Sequence, residues 1–241
     1  MCKIVSKILT FAVMEKTIKP IARFHSPLTS KFGVPRQSGI VECLRGRVVM
    51  EGEYKDPEVL RGLEDFDVIW LIWGFSMNPE SHNKTARPPL LGGNTQMGVF
   101  ATRAPFRPNG MGLSAVRIES IDLSSPEGPC INVLGADLTH GTPIYDIKPY
   151  LPYADCYPQA RGGFTDANQW RTLDVDIPQH IASKVDDEDK TVIERLLSLD
   201  PRPHYHDSPE RIYGMEYNGM DIRFVVDDRQ LIVKDIVKRQ R

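Results

Sequence analysis

The stretch Phe66–Phe75, FDVIWLIWGF, constrains the fold more than any other part of the chain. It is the most apolar run present, and it is short, aromatic and β-branched. Those properties predict a buried central strand rather than a helix, and the run is too brief to span a membrane. Trp70 and Trp73 are expected to be core residues. Around this run the chain offers further short strands, expected at Ile18–Phe24, Val48–Glu51, Met97–Thr102, Leu113–Ile121 and Cys130–Ala136. His25-Ser26-Pro27 and Asn109-Gly110 are turn signals between them. Asp56–Gly62 reads as one helical turn, with Asp56 as N-cap, Pro57 at the first helical position and Gly62 as the stop. Several short strands, Gly/Pro turns and no long helical pattern predict a compact β-barrel or sandwich, not a doubly wound sheet.

The last third reads differently. Arg161–Gln169 is a Gly/Asn/Asp-containing linker. Leu173, Val175 and Ile177 alternate as a strand. Asp186–Leu199 has acids at its start and an apolar stripe of Val192, Ile193, Leu196, Leu197 and Leu199, so it predicts a helix stopped by Asp200-Pro201. Arg211–Tyr217, Asp221–Val226 and Leu231–Val237, separated by Asn218-Gly219 and Asp227-Asp228, predict a three-stranded meander. The expected fold class is therefore mainly β: a compact β-barrel of short strands with a small α+β appendage made of a C-terminal helix and the meander. The expected divisions are an N-terminal extension (1–16), a barrel domain (17–165) and a smaller C-terminal domain (166–241).

Composition narrows the function classes. With 241 residues, 41% hydrophobic, 26% charged and a formal net charge of -2, the chain has an ordinary soluble balance. Any nucleic-acid contact must come from a local patch. Its four cysteines are scattered without CxxC spacing, which suggests neither a zinc site nor a redox pair. They read as reduced thiols of a cytoplasmic protein that holds no metal. Lys3, Lys7 and the apolar run Ile8–Met14 faintly resemble a signal peptide. The run is short, no A-x-A-like site follows, and Glu15-Lys16 interrupts it, so the expected role is a plain extension, with no membrane partner. No GxGxxG follows a strand and no Walker-type loop occurs.

Chemistry-bearing residues gather in four places. Arg87–Ile118 carries Arg87, Arg103, Arg107 and Arg117, and no Asp or Glu lies between Glu80 and Glu119. A run this basic in a near-neutral protein points to an anion or another electron-rich group, displayed from a strand end by glycines and prolines. The plainer alternative is a solvated rim. In SKFGVPRQSGI, Pro35 presets the path of Arg36 and Gln37, which can donate to a ligand. Residues 136–155 form an expected loop rich in Asp, His, Thr and Tyr. There Asp137 can accept from a ribose or an amine, and Asp146 and Lys148 share a face if extended. Residues 200–207, DPRPHYHD, combine an acceptor, a cation and a stacking ring suited to a base, though a proline-rich connector has the same composition.

Taken together, SPLTSKFGVPRQSG, RGLEDFDVIWLIWGF, RPPLLGGNTQMGVFATRAPFRPNGMGLS, DLTHGTPIYDIKPYLPYAD and DPRPHY resemble the TrmO family, in order, from Ile18 to Tyr205. The resemblance implies an S-adenosylmethionine-dependent methyltransferase. Its target would be N6 of N6-threonylcarbamoyladenosine, beside the anticodon of threonine tRNAs. It implies a small β-barrel rather than a Rossmann fold, and a homodimer. By motif, the cofactor would touch Pro35, Arg36, Gln37, Arg103, Leu113, Asp137, Leu138, Thr139 and His140. The family's His-Gln pair after the aromatic strand is replaced here by Ser76 and Met77, which removes two partners from the cofactor region. Asp200 is the candidate acceptor for the N6–H, Tyr205 the stacking ring, and Arg202, Arg107 or Lys148 the cation for the substrate carboxylate. Two other classes fit the same residues: a cofactor-binding module without catalysis, and a tRNA- or nucleotide-binding barrel whose arginines hold phosphate.

Overall fold

The computed structural model describes residues 16–79, 81–202, 208 and 210–239. Six strands close into a barrel: β1 (Ala22–His25), β2 (Arg45–Met50), β3 (Val68–Gly74), β6 (Met111–Asp122), β7 (Cys130–Leu134) and β8 (Thr142–Pro149), in spatial order β1-β2-β7-β6-β3-β8. Closure satisfies every strand edge without exposing one. The aromatic run is β3, antiparallel to β6 on one side and β8 on the other. Alternate residues face inward, as a half-buried strand requires. Ile69, Leu71 and Trp73 of β3 meet Val116 of β6, Ile131 and Val133 of β7, Val48 and Met50 of β2, Ala22 and Phe24 of β1, and Ile144 of β8.

The barrel differs from the expected one in two elements. Met97–Thr102 is not one strand. Only β5 (Met97–Gly98) pairs, with β4 (Thr85–Ala86), and Val99–Ala101 turns into a 3-10 helix. Glycines at 92, 93 and 98 shorten the extended stretch. Residues 136–155 are not a continuous loop, because Thr142–Pro149 is the strand that completes the barrel. Its prolines sit at the second and last residues of the strand, and a bulge beside Trp73 absorbs the irregularity. Asp146 and Lys148 face each other as a surface ion pair at 3.1 Å, which contributes little.

The C-terminal meander is β10 (Tyr213–Tyr217), β11 (Met220–Asp227) and β12 (Gln230–Lys238). A fourth strand, β9 (Asp174–Asp176), joins β12 in parallel. Of the short helices α1 (Pro152–Asp155), α2 (Phe164–Ala167) and α3 (Gln179–Ala182), α2 lies within the expected linker. The long helix α4 (Asp187–Ser198) has Asp186 as N-cap, its side chain accepting from Asp189 N–H. Its apolar stripe, Val192, Ile193, Leu196 and Leu197, is buried against the sheet.

A second core, built on α4 and the C-terminal sheet, also takes in Leu28, Val41 and Leu44 from the segment between β1 and β2. Each such side chain contributes about 1.5–3 kcal/mol through burial. Asn218 N–H donates to the Pro27 carbonyl at 2.9 Å, and Thr29 Oγ1 donates to Glu216 Oε2 at 2.8 Å. The loop containing Pro35, Arg36 and Gln37 is thus rooted in the C-terminal core at both ends. Among the described residues, no helix is long and apolar enough to cross a membrane.

Candidate functional site

The loop from Lys31 to Gln37 is the common wall of two cavities. The smaller, about 170 Å³, opens at the barrel end beside β3 and is lined by Trp73, Phe75, Ser76, Met77, Pro105 and Asp137, with Leu138 and Thr139. The larger, about 400 Å³, lies between the loop and the end of α4 and includes Arg36, Leu199, Asp200, Pro201 and Arg202. Lys31 and Val34 line both. Lys31 Nζ donates to Asn78 Oδ1 across the smaller cavity's rim.

The smaller cavity collects Ser76, Met77, Asp137, Leu138 and Thr139 from the expected cofactor set. Arg103 joins it indirectly: its guanidinium donates to Gln37 Oε1, and its charge acts on Asp137. Burial pushes the Asp137 carboxyl above the ordinary carboxylate value. The Ser114 hydroxyl, Arg103 and the Ser38 backbone N–H pull the other way. Three expected residues stand apart. Pro35 is buried and lines neither cavity. Leu113 is 55% exposed on the outer face of β6. His140 lies against His25, ring centroids 5.0 Å apart, and accepts from Ser26 N–H.

Arg36 faces the larger cavity. Its guanidinium lies 3.7 Å above the Trp170 ring and donates to the Asp200 carbonyl at 3.3 Å. Burial lowers its pKa, opposed by the charge of Asp200. Asp200 and Arg202 form a two-bond pair, Nε to Oδ1 at 2.8 Å and Nη2 to Oδ2 at 2.9 Å. Asp200 adopts φ +50, a left-handed conformation held by this pairing and by Arg36. Tyr205 lies outside the described residues. Arg107 caps its own loop, donating to the Thr102 carbonyl at 3.0 Å, and Arg87 and Arg117 are exposed without an ion pair among the described residues.

Sequence reasoning missed Lys31, Trp73, Phe75 and Pro105 as cavity walls. Trp73 was expected in the core, and it is both core and wall, since it sits at the inward end of β3. The buried polar side chains among the described residues, Ser114 and Thr142, also stand beside this cavity: Thr142 lines it and Ser114 bonds to Asp137. A serine on an otherwise apolar inward row is a legible signal in retrospect.

The smaller cavity suits S-adenosylmethionine by chemistry. Trp73, Phe75, Pro105 and Leu138 offer aromatic and apolar faces for an adenine ring and a sulfonium. The partly buried Asp137 carboxylate offers an acceptor for ribose hydroxyls or an ammonium. Among the described residues, no group of three or more His, Cys, Asp or Glu side chains is placed to hold a metal ion.

Comparison with known proteins agrees with this arrangement. Residues 23–156 match the model of the tRNA-methyltransferase O N-terminal domain, and residues 171–239 match that of the TrmO C-terminal domain. The chain is 36% identical over 223 residues to a Pseudomonas aeruginosa protein described as putative S-adenosylmethionine-dependent methyltransferase RcsF, covering 88% of this chain and 93% of that one. It is 33% identical over 217 residues to the Escherichia coli tRNA (adenine(37)-N6)-methyltransferase, covering 86% and 92%. The crystal structure of TrmO from Pseudomonas aeruginosa superposes with a TM-score of 0.76 at 31% identity, over 95% of this chain and all of that one. Matched in both domains, over most of its length and in the closed barrel itself, the chain belongs to the tRNA-methyltransferase O family.

Proposed function

We propose that this protein transfers a methyl group from S-adenosylmethionine to N6 of adenosine 37 in tRNA, and that the preferred nucleoside is N6-threonylcarbamoyladenosine in threonine tRNAs. The observation that carries this reading is the pair of cavities sharing Lys31 and Val34 as a common wall. A donor in one and an acceptor in the other would be held side by side, which is what a direct group transfer requires. The relatives named as tRNA (adenine(37)-N6)-methyltransferases support the reaction class.

Bound S-adenosylmethionine would supply an activated methyl group on a sulfonium. The chain's residues then align and desolvate. Trp73 and Phe75 cover the aromatic part, Asp137 accepts from the polar part, and Ser76 and Met77 replace the family pair at the rim. In the larger cavity, Asp200 is the candidate acceptor for an N6–H, its carboxylate oriented by the two-bond pair with Arg202. Arg36 holds the Asp200 backbone in place. The flipped base of an anticodon loop costs less to extrude than one from a duplex. Lys31, Arg36 and Arg202 supply positive charge for an anionic substituent on the base.

Homodimerisation belongs to the same proposal. It is supported by exposed apolar side chains on and near the barrel, Phe100 at 78% and Leu113 at 55%, and sedimentation velocity tests it.

The deciding experiment incubates the protein with S-adenosylmethionine and threonine tRNA carrying the threonylcarbamoyl group, with nucleosides read by mass spectrometry. A gain of one methyl on that nucleoside, and none on unmodified tRNA, is the expected result. Cofactor binding without methyl gain would favour the binding-module alternative.

A further inference from the structure

Ser114 is the one serine on the inward row of β6, at 1% exposure, and it cannot reach a ligand. A buried hydroxyl must be bonded, and here both its bonds are directed. Trp73 Nε1 donates to Ser114 Oγ at 2.9 Å, and Ser114 Oγ donates to Asp137 Oδ1 at 2.6 Å. The order is forced by chemistry. An indole N–H only donates, so Ser114 Oγ must accept from it, and the single hydroxyl proton is left to point at the carboxylate. The strand register explains the approach. Trp73 pairs with Gly112, so Ser114 is its diagonal neighbour on the same face. The indole lies directly on Gly112, where a Cβ would stand 2.4 Å from the ring, and only glycine lets it lie flat.

We infer that Trp73 and Ser114 act as a positioning pair that holds Asp137 in one orientation, with Oδ1 engaged and the rest of the carboxylate presented to donor groups of S-adenosylmethionine. This rests on the cofactor reading of the smaller cavity. The Ser38 backbone N–H, just beyond the loop that walls both cavities, also favours the ionised carboxylate. The charge acting on Asp137 is Arg103, and Lys31, bonded to Asn78, lines the same cavity. Both are basic side chains, so Asp137 is the carboxyl whose ionisation binding would follow. A hydrogen bond donated to a carboxylate favours its ionised form, so losing Ser114 would move the Asp137 titration upward.

The test measures binding of S-adenosylhomocysteine, the product form of the cofactor, by calorimetry from mildly acid to neutral pH. Wild type is expected to lose affinity as pH falls. Ser114→Ala should bind roughly five- to tenfold more weakly at neutral pH and lose affinity at a higher pH than wild type. Ser114→Thr, which keeps the hydroxyl, should restore the wild-type midpoint. Asp137→Asn should bind weakly with no pH dependence. Trp73→Phe keeps a ring on Gly112 but removes the donor, and it should shift the midpoint in the same direction, so the inference stays testable if Ser114→Ala fails to fold. Ser114→Ala and Trp73→Phe proteins that bind at the wild-type midpoint, whatever their melting temperatures, would overturn the positioning role. A wild type that binds no S-adenosylhomocysteine would overturn the cofactor reading and this inference with it.

Discussion

Gly33 lies so close to Met215 of β10 that a Cβ on it would stand 2.6 Å from the methionine sulfur. Gly33 has φ +90, and Met215 is fully buried in the C-terminal core. The wall of both cavities is therefore seated directly on the C-terminal sheet. Gly33→Ala introduces both a strained φ and a clash, at a cost of about 1–3 kcal/mol. The expected outcome is a lower melting temperature together with weaker binding of S-adenosylhomocysteine. A chain ending at residue 165, which would bare Leu28, Val41 and Leu44, should not bind it at all.

Asp137 gives a prediction of opposite signs. Its folded pKa is raised, chiefly by burial. A raised carboxyl contributes stability below its unfolded pKa and loses it as pH rises through the folded value, so ionised Asp137 costs stability at neutral pH. Asp137→Asn keeps an acceptor for Ser114 and removes the buried charge. In thermal melts at pH about 7 the unliganded variant should be as stable as wild type or more so, with the advantage shrinking in acid, while titration calorimetry shows reduced cofactor affinity.

Asp200 and Arg202 clamp one another in the larger cavity, with Arg36 stacked on Trp170 behind them. Asp200→Ala removes the candidate acceptor and the two-bond pair that orients Arg202. We expect turnover on modified tRNA to fall at least about tenfold, with S-adenosylhomocysteine affinity unchanged. Arg36→Lys loses the flat stacking and the guanidinium fork, and should raise KM for tRNA more than it lowers kcat. Unchanged steady-state kinetics in both variants would remove this cavity from the reaction.

His25 sits between Glu127, 3.9 Å from its Nδ1, and the ring of His140. Burial is the largest cause of its lowered pKa, with His140 and Arg47 adding and Glu127 opposing. The unfolded state therefore binds more protons, so stability rises with pH through the window just below the ordinary value of 6.5. Urea unfolding at about pH 5.5 and about pH 7.5 should show a smaller difference for His25→Gln than for wild type.

The strand pattern was legible because its cause is local. FDVIWLIWGF alternates and is β-branched wherever it sits, and Asp186 with the α4 stripe announces a helix in the same way. The strand Thr142–Pro149 was not legible, because its two prolines argue against a central strand. Only closure of the barrel, which supplies β1 and β3 as partners and a bulge beside Trp73, outweighs them. Met97–Thr102 failed in the other direction: its residues favour a strand, but glycines and the lack of a long partner leave only two residues paired.

The motifs carried the family, the cofactor class and the grouping of Asp137, Leu138 and Thr139, since these are properties of short contiguous stretches. What they could not carry is direction. Whether Arg36 faces the smaller cavity or Asp200 depends on how the 28–44 segment joins the C-terminal core, and the facing of Leu113 and Trp73 depends on the pairing of β3 with β6. The sequence by itself determined a mainly β chain with a basic, glycine-rich ligand rim. Only the tertiary structure decided that one loop walls two cavities, and that a buried serine and a tryptophan aim a carboxylate into one of them, because hydrogen-bond direction and shared walls exist only between segments far apart in the chain.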